Sequence, residues 1–122
     1  MTIAAPVLVL LDSVTQVEFR HAGQLVVTGS HGGASVVPYA RAVRAWLYVF
    51  NDAGVGKDGA GIAALDLLDA DGIAAVTVAH TSARIGEALD AWQHGVVSHL
   101  NAAAVTLGLR VGFPLRAQLQ PG

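Results

Sequence analysis

Four short apolar runs punctuate the chain, at 7–11, 25–28, 46–50 and 73–78, each rich in Val, Leu or Ile. Apolar residues follow one another directly in these runs instead of alternating with polar ones. That is the pattern of strands covered on both faces, as in a parallel sheet. Between the runs, apolar positions recur at helical spacing. Residues 34–45 place Val36, Val37, Ala40 and Val43 on one side, with Arg41 and Arg44 toward solvent. Ser35 is positioned to cap this helix, and Pro38 falls in its first turn, where a missing N–H costs little. Residues 59–70 carry Ile62, Leu65 and Leu68 as a stripe. Asp58 is the expected N-cap there, and Asp71-Gly72 the left-handed stop.

The longest predicted helix covers 84–107, where Leu89, Trp92, Val96, Leu100, Ala103 and Leu107 form a core-facing stripe. Gly95 interrupts it and reads as the close approach of another backbone. Glu87, Asp90, His94, Ser98 and Asn101 fall on the opposite side, a polar seam suited to hydrogen bonding against another element or subunit. Beyond Gly108, residues 109–111 and 115–119 are expected to add a last strand at the sheet edge. Residues 13–21 are ambiguous. Ser13 with Gln16 fits a capping box and favours a short helix closed by Gly23, whereas 17–20 and 24–27 would also pair as a hairpin. The alternation of strand, glycine loop and helix predicts a single α/β domain over 1–122. Its sheet is expected to be small, open and mostly parallel, with four to five strands and helices on its faces, in the Rossmann-like or flavodoxin-like manner.

Composition changes this picture in one respect. Of the 122 residues, 53% are hydrophobic and only 13% charged, about half the usual charged share. A chain of this length holds one ordinary core, and so little charge leaves apolar surface to cover, which predicts a homo-oligomer. The formal net charge of −2 and seven scattered basic residues offer no cluster to neutralise phosphates, so no nucleic-acid partner is expected. The absence of cysteine removes disulfides, thiolate zinc sites and a Cys nucleophile, and suits a reducing cytoplasm. Residues 3–11 are apolar but lack a preceding positive region and are too short to span a bilayer. They read as a buried strand, and no membrane partner is expected.

Candidate chemistry lies where strands should end, because ligands of open α/β sheets sit outside the carboxyl ends of the strands. The second run leads into Gly29, Ser30, His31, Gly32 and Gly33, whose amides would approach an anion ahead of a helix N-terminus. The third leads into Asn51 and Asp52, then Gly54, Gly56, Lys57 and Gly59. The string GVGKD lacks the GxxxxGK[ST] spacing of a nucleotide-binding P-loop, which excludes that reading. Lys57, the sole lysine, is a candidate anion ligand or base. The fourth run leads into His80, Thr81, Ser82 and Arg84, with Ser82 or Thr81 expected to cap the following helix and Arg84 to clamp a carboxylate or phosphate.

These assignments describe a small oligomeric enzyme using acid/base chemistry on a small anionic or amide-bearing metabolite, as a hydrolase, lyase or isomerase. Asp52 and His80, with Lys57, are the expected catalytic groups. Gly29, Ser30, His31, Gly32, Asn51, Ser82 and Arg84 are the expected substrate-binding residues, the glycine amides stabilising developing oxyanion charge. His31, His80 and Asp52 are suitable metal ligands by type, as are Asp90 and His94, but no spacing demands a metal and no cofactor is assigned. Two other classes fit the same loops, a non-catalytic nucleotide or phosphate sensor and a structural assembly protein.

Overall fold

The computed structural model describes residues 2–122. Strands β2 (Leu8–Leu11), β3 (Leu25–His31), β4 (Leu47–Asn51), β5 (Ala75–Val78) and β6 (Val97–Leu100) form one sheet in the order β2-β3-β4-β5-β6. The first four are parallel and β6 is antiparallel to β5. Thus the chain has an α/β fold with a five-stranded, mostly parallel sheet. A separate pair joins β1 (Ile3–Ala5) to β7 (Leu119–Pro121) in parallel.

Three of the four unbroken apolar runs find the environment they require, since β3, β4 and β5 are covered on both faces. The run at 7–11, expected as a buried strand, is instead the sheet-edge strand β2, with Val7 and Leu10 exposed, because only one neighbour pairs with it. Along β3 and β4, Val26, Tyr48 and Phe50 face one core while Leu25, Val27, Leu47 and Val49 face the other. The first core is closed by α1 (Val37–Ala42) and α2 (Ala63–Ala70) through Val37, Ala40, Leu65 and Leu68. The second is closed by α3 (Ala88–His94), α4 (Ala102–Leu107) and α5 (Leu115–Gln118) through Ala91, Trp92, Ala104 and Leu115. Among the described residues, no helix is long and apolar enough to cross a membrane.

The largest departure from the sequence reading is at 84–107, which is not one helix. α3 ends at Gly95, whose N–H bonds Ala91 O at 3.0 Å, and the chain turns to lay β6 against β5. An unpaired edge on β5 would leave main-chain donors and acceptors without partners, and 97–100 supplies them. A Cβ at Gly95 would collide with Ala91 O and stand 2.7 Å from Val78 Cγ1, so the glycine marks this sharp exit beside a β5 side chain and not the close approach of another backbone.

The polar seam is dispersed accordingly. Ser98 lies on β6, while Asn101 caps α4 and bonds Ala75 N, Ala104 N, Leu65 O and Ile73 O. The edge strand expected from 109–119 is replaced by α5 and by β7, which pairs away from the main sheet. Residues 13–21 form no hairpin but two short 3-10 helices, Val14–Gln16 and Phe19–His21, the first opened by the expected Ser13–Gln16 capping box. Helix caps at Ser35 and Asp58 do not form. Gly33 precedes a 3-10 turn that runs into α1, and Asp58 sits at φ 58° inside another such turn before α2.

Candidate functional site

The connection leaving β4 runs to α2 on one face of the sheet, and the connection leaving β5 runs to α3 on the other. Adjacent loops that diverge in this way open a crevice at the carboxyl edge, the place where ligands of such sheets bind. The three predicted loops meet there. Gly32 N bonds Asn51 O at 2.9 Å, Asn51 Nδ2 bonds Ala83 O at 3.0 Å, and His80 N bonds Asp52 Oδ1 at 3.0 Å. A Cβ on Gly29 would collide with the Gly86 carbonyl carbon, so that position must be glycine for 86–87 to cross β3. The register between β3 and β4 shifts between Val27 and His31, an irregularity that re-aims the end of a strand.

At the centre, Asp52 is 4% exposed and its Oδ1 accepts from Gly54 N at 2.9 Å, from His80 N and from His80 Nδ1 at 3.2 Å. Burial works to raise this carboxyl. The Gly54 amide, the Ser98 hydroxyl and both His80 donors outweigh it and hold the group below its ordinary value. Asp52 is therefore a fixed buried anion. The His80 side chain is 55% exposed, so Nδ1 is anchored while the ring remains reachable from solvent. A carboxylate that orients an imidazole and fixes its tautomer is the supporting half of a general acid/base unit.

The loop that delivers Asp52 is strained. Ala53, Gly54, Val55 and Gly56 have successive φ values of 52°, 77°, 65° and 74°, and Asp58 adds 58°. A β-branched residue at positive φ is an outlier that persists only where its surroundings impose it. Here they do, because Val55 N bonds Asp52 O at 2.7 Å, Gly61 N bonds Val55 O at 2.6 Å, and a Cβ on Gly61 would overlap Asp52 O. This coil walls a cleft of about 420 Å³ bordered by His31, Ala34, Ala53, Val55, Ala60 and Ile85. Ala53 lines the cleft and Gly54 lies against the His80 ring, so one peptide links the two features.

The remaining predicted residues separate into two groups. Several have their polar groups engaged inside the protein. Ser30 Oγ accepts from Val14 N at 2.9 Å, and Ser82 Oγ donates to Ala79 O and accepts from Val96 N. Asn51 Oδ1 takes Ala53 N at 2.8 Å, and the amides of Gly32 and Gly33 go to Asn51 O and His31 Nδ1. Ser82 does not cap α3; Asp12 Oδ1 receives Ala88 N instead. Lys57 and Arg84 are exposed and, among the described residues, form no ion pair and do not line the cleft.

His31, His80 and Asp52 do not assemble as three ligands, since no group of three or more His, Asp or Glu suited to a metal comes together among the described residues. Asp90 and His94 bond each other at 2.9 Å on the open surface of α3.

Three features of the site escape a reading of residue types. Ser98, on a strand hidden inside an apparent helix, helps to hold the Asp52 carboxyl low while its Oγ bonds Thr77 Oγ1 at 2.9 Å. Ile85 closes the cleft from the β5 loop, and Gly61 permits the coil to fold back. Only Gly61 leaves a trace in the sequence, in the glycine density of 54–61. No protein-family model matches the chain, and neither the curated proteins nor the solved structures contain a match to it.

Proposed function

We propose that the chain is a small-metabolite enzyme in which His80 carries a proton to and from substrate and Asp52 orients it. The observation that supports this best is the pairing of a buried, hydrogen-bonded carboxylate with an exposed imidazole in the crevice where the β4 and β5 connections diverge. The likeness to Rossmann-like or flavodoxin-like sheets enters only through that placement of the crevice. Relative to the sequence reading, Asp52 becomes a positioning residue rather than an alternative to His80 as the acid/base group. Gly32 and Gly33 lose the oxyanion role because their amides are occupied. The same occupancy weakens the reading as a phosphate or nucleotide sensor. Lys57 and Arg84 remain candidates for steering an anionic group at the rim.

Hydrolysis, elimination and isomerisation all use one group that alternates between base and acid. The proposal includes a homo-oligomer, supported by exposed Val7, Leu10, Phe19, Leu89 and Val105 on a chain with little charge. It also includes a cytoplasmic setting, supported by the cysteine-free sequence. The test is turnover of a pool of small carboxylates, amides and lactams followed by NMR. Loss of about 100-fold or more in His80→Asn and Asp52→Asn is expected. Turnover unchanged in both variants, or none by the wild type, counts against the proposal.

A further inference from the structure

We propose that the cleft beside the Asp52–His80 pair selects a neutral carbonyl compound of the carboxamide or lactam class over the corresponding carboxylate, with His31 as the discriminating donor. The inference rests on the acid/base reading above and narrows its substrate. His31 Nδ1 accepts the Gly33 N–H at 3.0 Å. In the neutral ring that bond consumes the Nδ1 lone pair and leaves the proton on Nε2. Gly33 is what allows this approach, because a Cβ there would stand 2.7 Å from Nδ1. His31 thus presents one N–H donor on the border of the cleft.

The other side chains of the lining are apolar, those of Ala34, Ala53, Val55, Ala60 and Ile85, and three glycines complete it. The cleft is open to solvent. Even partial transfer of a carboxylate from water onto these apolar side chains is unfavourable without a cation beside it, whereas an amide carbonyl needs only a donor. Lys57 and Arg84, the basic residues of the two neighbouring loops, do not line the cleft. A carbonyl compound held by His31 Nε2–H would occupy a cleft that shares the Ala53–Gly54 peptide with the His80 ring.

The experiment is an NMR titration of the full labelled chain with cyclohexanecarboxamide and with cyclohexanecarboxylate, two probes of one shape that differ in charge. The carboxamide is expected to shift the Ala34 and Ile85 signals and to bind about tenfold or more tightly than the carboxylate. His31→Leu should erase the preference, and His31→Gln, which keeps a donor, should retain part of it. Equal or better binding of the carboxylate, a preference that survives His31→Leu, or no shift at Ala34 and Ile85 with either probe overturns the proposal. The His80 ring signals in the same spectra report the Asp52 bond without any ligand. Failure of the cleft selectivity is thereby separated from failure of the acid/base reading.

Discussion

His80 Nδ1 lies 3.2 Å from Asp52 Oδ1, and the two side chains differ sharply in exposure, at 55% and 6%. A second pair, His94 Nδ1 and Asp90 Oδ1, is closer at 2.9 Å, yet its imidazole is 66% and its carboxylate 27% exposed. Distance does not separate the two pairs; the surroundings of the carboxylate do. Asp90 is a solvated helix residue whose oxygens receive His94 Nδ1, its i,i+4 partner, and Arg84 N, and such an exposed pair contributes little to stability. Asp52 is buried at the end of β4, fixed by Gly54 and His80 amides, and cannot follow a moving partner. It can hold an imidazole in one orientation through a proton transfer.

Burial and hydrogen bonding of Asp52 set a pH dependence with a definite sign. Its folded carboxyl is more acidic than in the unfolded chain. The stabilisation is therefore complete above the unfolded value, about 3.9, and is lost as pH falls through the lower folded value. Urea midpoints measured from pH 6 down to pH 2 should fall less steeply below about 4 for Asp52→Asn than for the wild type. Parallel curves would show that Asp52 gains nothing from these bonds.

Gly61→Ala should be severely destabilising, because the added carbon meets the Asp52 carbonyl, a main-chain atom that cannot swing aside. Overpacking of this kind costs about 3 kcal/mol. Gly59→Ala is the informative contrast. Its φ of 70° and ψ of 24° are left-handed helical, and an added Cβ would meet only Ile62 Cγ1 at an ordinary 3.9 Å, so about 1 kcal/mol is expected. Thermal unfolding of the two variants checks the order, and equal melting temperatures would contradict the described path of the loop.

Asn101→Ala should cost about 3 kcal/mol, or roughly 10 °C in Tm, despite its distance from the crevice. Its side chain satisfies Ala75 N, Ala104 N, Leu65 O and Ile73 O at 4% exposure, and truncation leaves these buried groups unpaired. Calorimetry of the variant is the check. A change within about 0.5 kcal/mol would mean that these groups find other partners.

Light scattering should return a mass at least twice that of the 12.5 kDa chain. The proposed oligomer requires it, since Val7 and Leu89 are about half exposed, at 53% and 52%. A stable monomer at micromolar concentration would remove oligomerisation from the account.

The strands and the meeting of the loops that form the candidate site were legible because both follow from local signals. Consecutive Val, Leu and Ile mark doubly covered strands, and Asn51 and Asp52 follow the third run directly. The break of 84–107 was not legible, since Trp92, Val96 and Leu100 satisfy helical spacing while 97–100 is drawn away by the open edge of β5. That is tertiary demand overriding periodicity, with Gly95 as its one local sign. The cleft was hidden for a related reason. Positive φ at Ala53 and Val55 has no signature in residue type and arises from the hydrogen bonds that fold 61 back on 52 and 55. The demotion of Ser30, Ser82, Gly32 and Gly33 to internal hydrogen bonding likewise depends on which atoms the fold brings beside them.

The most direct test of the account is the ¹⁵N–¹H NMR spectrum of the His80 ring in the neutral form. The bond to Asp52 Oδ1 predicts a proton on Nδ1 and an unprotonated, accepting Nε2, with reversion toward the ordinary Nε2–H tautomer in Asp52→Asn. A wild-type His80 already in the Nε2–H form, unchanged by Asp52→Asn, would contradict the claim that Asp52 orients His80 as the proton carrier of this site.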